Sequence, residues 1–266
     1  MATTTTPPPP TGTQPVRRVR RDGPLLLRFY STAVGKKWVM AITGVGIMLF
    51  VLAHMIGNLK LFISKEEMNL YGEALRDLGG HLVPRTTLLW LLRIGLIAMF
   101  ALHIVAAAQL TVANRRARPA QYQSKRDYVA TDYAARTMRW TGVIVALFVL
   151  FHLADLTWGN ANPDFVRGDP YNNLVASFER VPVAIVYVVA NVALALHLYH
   201  GSWSIFQSMG INNPRYNRAR RGFAIGFAGV VLAGNLTFPI AVQLGLVDEA
   251  CPGTDPVAEC NEESGL

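Results

Sequence analysis

Histidine side chains lie inside long apolar stretches of this sequence, where an ionisable group is costly and normally faces a protein interior with a partner. Imidazole is also the commonest side-chain metal ligand. Five histidines are placed in this way: His54, His103, His152, His197 and His200. The sixth, His81, lies in a polar loop, where we expect it to be solvated. The five histidines in apolar stretches are therefore candidate ligands for a metal centre.

Four of these histidines sort into two levels along their apolar stretches. His54 and His152 come about one helical turn before the polar end of their stretches, whereas His103 and His197 lie 18 and 17 residues beyond the arginines that precede theirs. At 1.5 Å per residue of helix, the two levels are about 15 to 20 Å apart. The spacing predicts one pair at each level. We call His54 and His152 the outer pair, and His103 and His197 the inner pair.

An internal repeat supports this pairing. Residues 43–54 read TGVGIMLFVLAH and residues 141–152 read TGVIVALFVLFH. A fainter match, FALH against LALH, joins the two stretches that contain the inner pair. The repeat predicts two copies of a helical hairpin whose equivalent histidines face each other. Its glycines, Gly44 and Gly142, indicate either room for a flat macrocycle beside the backbone or ordinary close packing of helices.

Two opposed imidazoles at each of two levels suit bis-histidine haem b, in which both axial positions of the iron are filled and the centre carries electrons. Zinc is the alternative metal, but it normally gathers its ligands in one tetrahedral cluster, and no cysteine lies in these stretches. A proton-relay transporter is the alternative from another class. It would need acidic residues deep in the stretches, and the nearest one, Asp155, lies close to an end.

The elements that position these histidines follow from the apolar stretches themselves. The chain of 266 residues is 52% apolar and 16% charged, with a mean hydropathy of +0.27, which is typical of a membrane protein. Each stretch has roughly 20 or more residues, enough to cross a hydrocarbon core about 30 Å thick as a helix. The sequence predicts an all-α membrane protein with five transmembrane helices, the first four forming a haem-binding bundle. The predicted spans are Lys37–Leu61, Thr86–Ala113, Met138–Trp158, Val181–Ser208 and Gly222–Leu246.

Basic residues are distributed unevenly between the two sides of the predicted bundle. Of the 25 Lys and Arg residues, 18 lie in three segments, which run up to Lys37, from Arg115 to Arg139, and from Arg215 to Arg221. The positive-inside rule then predicts a cytoplasmic N-terminus and an external C-terminus. Topology accounts for the net charge of +8 without nucleic-acid binding. The same basic segments are open to a second interpretation, the docking of a soluble partner.

Polar tails flank the predicted membrane domain, which covers residues 29–247. Residues 1–28 are rich in Thr, Pro and Arg, and we expect them to be disordered on the cytoplasmic side. No cleavable signal peptide is recognisable in them, so the first helix is expected to remain. Residues 248–266 form a polar external tail that contains Cys251 and Cys260. An oxidising compartment favours a disulfide between these two cysteines.

Four segments carry a family resemblance: STAVGKKWVMAITG, LAHMIGNLK, TMRWTG and LHLYHGSWSIFQSMG. They resemble the single-chain di-haem cytochrome b subunit, of the b558 type, that anchors bacterial succinate dehydrogenases and fumarate reductases. The resemblance runs from about Ser31 to Pro239 and excludes both tails. It implies a subunit of respiratory complex II in the bacterial cell membrane. Such a subunit takes electrons from an iron–sulfur subunit, itself fed by a flavoprotein, and passes them to menaquinone or another quinone.

The resemblance also implies ligands, because one histidine from each of the first four helices binds haem in that family. The outer haem b then joins His54 and His152, and the inner haem b joins His103 to a histidine of the fourth helix. Both the family spacing to the following glycine and the internal repeat favour His197 for that role. His200 lies almost one turn further on, and its predicted role is a contact to a haem propionate or to quinone.

Other site residues are predicted from chemistry alone. Arg93, about two turns below the outer surface, is a candidate partner for a haem propionate, or an arginine that extends to the interface. Four residues are candidate hydrogen-bonding partners of quinone: Ser31, Lys36, Glu73 and Asp155. The chain is not expected to act on dicarboxylates by itself. Two alternatives stay open, an anchor carrying a Rieske-like 2Fe–2S cluster with ligands lent by a partner, and a cofactor-free membrane scaffold or transporter.

Overall fold

Helices make up all the regular secondary structure in the residues that the computed structural model describes, which are 24–117, 131–211 and 213–248, with side chains from residue 137 in the second range. Short 3₁₀ turns occur at Leu59–Phe62, Gly80–Leu82 and Pro214–Tyr216. The α-helices are α1 (Leu25–Ser31), α2 (Ala33–Asn58), α3 (Lys65–Arg76), α4 (Thr87–Arg116), α5 (Thr131–Leu156), α6 (Pro170–Glu179), α7 (Val181–Ser208) and α8 (Asn217–Gln243).

Five of these helices, α2, α4, α5, α7 and α8, are long and apolar enough to cross a membrane. The five predicted spans are therefore confirmed as helices of membrane-spanning length. The bounds of α7 coincide with the prediction, whereas α2 begins at Ala33 and α8 at Asn217, each several residues before the predicted start. Helix α8 begins with the charged segment NRARR, and Lys36 lies in the first turn of α2, so the apolar runs start later than the helices do.

Three shorter helices, α1, α3 and α6, lie outside the predicted spans. Polar side chains cap the N-termini of three helices. Thr32 accepts a hydrogen bond from the Gly35 amide (2.9 Å) at the start of α2, and Ser64 and Asp169 cap α3 and α6 in the same way. Helix α1 begins at Leu25, inside the region 1–28 that was assigned to the tail. The remainder of that tail, and Cys251 and Cys260, lie outside the described residues.

The long helices pack as two hairpins, α2 with α4 and α5 with α7. The hairpins meet where α2 contacts α7, and α8 packs along α7 and also touches α2. Within the described residues, the backbones of α2 and α5 hardly approach each other, nor do those of α4 and α7. These are the helix pairs that carry the outer and inner histidines, so side chains span the space between them.

A cap covers one end of the bundle, where α3 and α6 pack together and α6 also contacts α5, α7 and α8. The largest apolar cluster lies beneath this cap and includes Met55, Phe178, Tyr187 and Phe238. A smaller cluster further along the bundle joins α2, α7 and α8 and contains Met48, Leu198, Ala228 and Val231. The core is therefore densest beside the cap, which is the end where the outer pair lies.

Candidate metal-ligating site

Four imidazoles meet in two pairs, as the two-level prediction requires. The ring centroids of His54 and His152 are 5.9 Å apart, with their planes at 84°. Those of His103 and His197 are 6.5 Å apart, with their planes at 68°. Each pair joins one histidine from each hairpin, since α2 and α4 supply one member of each pair and α5 and α7 supply the other.

These separations can be compared with what one metal ion between two imidazoles requires. With metal–nitrogen bonds of about 2.0 Å on each side and the radius of each ring added, the two centroids lie roughly 6 Å apart. Both pairs agree with that value. The histidine pairs therefore fit axial ligation of an iron from opposite sides. Within the described residues, no group of three or more His, Cys, Asp or Glu side chains gathers as a tetrahedral zinc site would need.

The inner pair is oriented by the opposite helix of each hairpin. His103 places Nδ1 within 3.1 Å of the Met40 carbonyl oxygen and 3.2 Å of Thr43 Oγ1. The Thr43 hydroxyl donates its own proton to the Val39 carbonyl (2.7 Å), so it can only accept from the imidazole. This assigns the proton of His103 to Nδ1 and leaves the Nε2 lone pair for a metal.

The second hairpin repeats this arrangement around His197. Its Nδ1 lies 3.4 Å from Thr141 Oγ1, and that hydroxyl donates to the Thr137 carbonyl oxygen (2.9 Å). Thr141 is the repeat equivalent of Thr43, so equivalent threonines hold equivalent histidines. The TGV motif indicates the repeat in the sequence, but the role of its threonine becomes visible only in the packed helices.

The repeat glycines contact the same imidazoles. A Cβ added to Gly44 would lie 3.3 Å from Cε1 of His103, and one added to Gly142 would lie 3.4 Å from Cε1 of His197. Each glycine thus makes room for a histidine of the neighbouring helix. Each repeat glycine therefore contacts a ring of the neighbouring helix, as close helix packing predicts, and room for a macrocycle beside the backbone stays a prediction.

The outer pair has different surroundings. Asn58 Nδ2 lies 3.4 Å from His54 Nε2, and the Phe50 ring stacks on His54 with centroids 5.4 Å apart. The Asn58 amide therefore occupies the same lone pair that a metal would take, and it must turn aside when one binds. His152 instead places Nδ1 within 3.3 Å of the Tyr187 hydroxyl.

Tyr187 connects His152 to a fully buried acid, Asp155. The Tyr187 hydroxyl donates to one carboxylate oxygen of Asp155 (2.9 Å), as does Ser177, and Arg180 forms an ion pair with the other (2.7 Å). Arg180 also donates to the Ala161 carbonyl, which ties the loop after α5 to the same group. Tyr187, Ser177 and Arg180 are not among the site residues predicted from the sequence. The one available signal was the spacing of Asp155, which follows His152 by almost one turn.

Two further candidate residues, His200 and Arg93, make contacts outside the two histidine pairs. His200 places Nε2 within 3.5 Å of Thr137 Oγ1, one turn beyond His197, and does not share the ring contact with His103. The Arg93 guanidinium lies over the Trp90 ring at 5.1 Å.

The four candidate quinone residues do not form one site. Ser31 and Lys36 lie together at the junction of α1 and α2, where Lys36 Nζ donates to the Ser31 carbonyl (3.3 Å). Glu73 lies in α3 at the capped end, paired with arginines of α3 and the following loop. Asp155 belongs to the buried group described above. The structure thus divides these residues between opposite ends of the bundle.

Comparison with known proteins adds a family. Residues 111–236 match the family model described as succinate dehydrogenase/fumarate reductase transmembrane subunit, over slightly less than half of the chain. No curated protein and no solved structure matches the chain. The matched region contains α5, α7 and most of α8, with His152, His197 and His200. Over this stretch the chain is therefore similar to succinate dehydrogenase/fumarate reductase transmembrane subunits.

Proposed function

We propose that this chain is the membrane-anchor subunit of a succinate:quinone oxidoreductase, or complex II, and that it passes electrons through two bis-histidine haems b. The observation that carries the proposal is the pairing of four imidazoles across the two hairpins, at centroid distances of 5.9 and 6.5 Å. The family match over residues 111–236 supports the same assignment independently of the histidine geometry.

His54 and His152 would hold the outer haem, and His103 and His197 the inner one. When bound, such a centre supplies reversible one-electron transfer with both axial positions filled. The protein holds the imidazoles at a fixed separation and directs three of the four Nδ1 atoms to acceptors, at Met40 and Thr43, Thr141, and Tyr187. Carbonyl, hydroxyl and phenol acceptors of this kind raise the basicity of the ligating nitrogen.

The distance between the two levels follows from contacts along α2. Thr43 touches the inner histidine His103, and His54 lies eleven residues further along the same helix. At 1.5 Å per residue the levels are about 16 Å apart. Electrons from an iron–sulfur subunit bound at the basic, cytoplasmic side would thus cross the bilayer in two steps. In this proposal the N-terminus lies inside the cell and the cap formed by α3 and α6 lies outside.

For quinone, the contacts favour Ser31 and Lys36 over the other two candidates. Glu73 and Asp155 are each engaged by arginine partners. Beside Lys36, whose Nζ lies 5.8 Å from the Tyr30 ring centroid, the buried Tyr30 hydroxyl has no hydrogen-bond partner within the described residues. A hydroxyl and an ammonium group at the membrane surface can donate to the carbonyl oxygens of a quinone.

The test is a pyridine haemochrome assay and a reduced-minus-oxidised visible spectrum of the purified complex, with dithionite and then succinate as reductant. We expect two b haems per chain, at least one of them reduced by succinate. His54→Ala or His152→Ala should remove one haem, and His103→Ala or His197→Ala the other. A complex that reduces quinone with succinate yet contains no haem would refute the haem assignment and favour a 2Fe–2S centre.

A further inference from the structure

The buried group around Asp155 distinguishes His152 from the other three ligand histidines. Asp155 is fully buried, and Tyr187 is only 4% exposed. A carboxylate removed from water needs several donors to offset its desolvation, and Tyr187, Ser177 and Arg180 supply them. Within the described residues, His152 is the only histidine of the two pairs that is linked to an acid through a single side chain.

The direction of these hydrogen bonds fixes the state of the imidazole. Tyr187 has one hydroxyl proton, and the 2.9 Å bond to Asp155 uses it. At 3.3 Å from His152 Nδ1, the phenol oxygen can therefore only accept. His152 then carries its proton on Nδ1, which leaves the lone pair of Nε2 for a metal. A carboxylate behind the phenol increases the negative charge on its oxygen, and this in turn makes Nε2 a stronger donor to a metal.

Aromatic packing holds Tyr187 in this position. Its ring meets those of Phe148 (5.0 Å) and Phe178 (4.8 Å) almost edge to face, and it also contacts Phe151 (5.9 Å). These rings come from α5 and α6, the helices that also supply Asp155 and Ser177. The phenol is therefore set between the imidazole and the acid by a rigid apolar surround.

We propose that Tyr187 is a positioning residue of the outer haem, which relays the negative charge of Asp155 to His152 and so lowers the reduction potential of that haem relative to one whose ligand lacks this link. The inference rests on the proposed function, because it requires His152 to be an axial ligand. It gives the acid a role beyond the ion pair with Arg180. It also makes the two haem levels chemically unequal despite the sequence repeat.

The experiment is a potentiometric titration of the whole complex, followed by visible spectra, with electron paramagnetic resonance of the ferric haems. Tyr187→Phe keeps the ring and removes the hydroxyl. Ser177→Ala is the matched control, because it also removes one donor to Asp155 but does not touch His152. Asp155→Asn is a second test, since it keeps a polar group behind the phenol and removes the charge. The outer wave is identified as the one lost in His54→Ala.

Tyr187→Phe should raise the outer potential and change the ferric resonance of that haem, while the inner wave and the haem content stay as in the wild type. Outer-shell partners change metal binding by 10- to 100-fold. A tenfold loss of preference for the ferric state corresponds to an upward shift of about 59 mV. Asp155→Asn should shift the same wave in the same direction, and Ser177→Ala should leave it unchanged.

Two results would overturn the inference. One is a Tyr187→Phe complex whose outer haem has the same reduction potential as in the wild type. If Tyr187→Phe does not accumulate, an unchanged outer potential in Asp155→Asn has the same meaning. The other is an equal shift in Ser177→Ala, which would mean that the group only supports the local packing. Absence of haem from the wild-type complex is a different result, because it removes the proposed function itself rather than the role of Tyr187 within it.

Discussion

Enlarging a repeat glycine should remove one haem and spare the other. Gly44 faces the His103 ring, and a Cβ there would lie 3.3 Å from Cε1, closer than side chains normally pack. Gly44→Ala requires the imidazole to move by a few tenths of an ångström. Gly44→Val adds two further methyl groups toward the same ring, and the ring is held in place by Met40 and Thr43.

The magnitudes separate the two variants. Replacing a helical glycine by alanine gains roughly 0.5–1 kcal/mol of helix stability, which offsets a small displacement of the ring. Forcing extra methyl groups into a filled space costs about 1–3 kcal/mol. We therefore expect Gly44→Ala to keep two haems with an altered inner spectrum, and Gly44→Val to lose the inner haem. Gly226 is the control, because a Cβ there meets nothing within 4 Å.

The assay is the haem content of each purified complex, with the outer and inner haems distinguished by potentiometric titration. The matched pair Gly226→Ala and Gly226→Val should retain both haems at wild-type potentials. Gly142→Val should behave as Gly44→Val does, because it faces His197 at 3.4 Å. Two haems with an unchanged inner potential in Gly44→Val would refute the reasoning, since the ring would then not be confined by the glycine.

Three further predictions concern the remaining side chains. Asp155→Leu should lower the free energy of unfolding by about 3 kcal/mol, because Arg180 loses its buried partner; a thermal melt of the complex checks this, and an unchanged melting temperature would contradict it. Lys36→Gln should raise the KM for quinone, whereas Lys37→Gln, a change at an exposed neighbour, should not. Equal changes of KM in the two variants would argue against a quinone site at the junction of α1 and α2. His200→Ala should keep both haems, as measured by the haemochrome assay. Loss of the inner haem in this variant would mean that His200, rather than His197, is the ligand paired with His103.

The helices and the histidine pairs follow from the sequence for clear physical reasons. An apolar run of about 20 residues has few alternatives to a membrane helix, so α7 is predicted to the residue. Histidines eleven residues from a repeated TGV motif must occupy equivalent depths in two parallel helices. The apolar run is a local signal and the TGV motif repeats at a fixed spacing, so both can be recognised without knowledge of tertiary contacts.

The residues that contact the histidines, and the short helices, could not be predicted in the same way. Tyr187 lies within an apolar helix and resembles an ordinary buried aromatic until α5 and α7 pack together. Helices α3 and α6 have only 12 and 10 residues, and their places depend on side-chain capping and on the contacts that they make with each other. The contact between Gly44 and His103 joins two helices, and the sequence contains no local signal for it.

The pairing of histidines across hairpins has a consequence for assembly and for ancestry. Each hairpin supplies one histidine of each pair, so neither hairpin alone completes a candidate site. A metal bound between the histidines of a pair would hold the two hairpins together. Each pair also joins equivalent positions of the repeat. A symmetric dimer of one ancestral hairpin would therefore already contain both sites, and fusion of two copies would make the halves free to diverge, as the Tyr187 side of the outer pair has done.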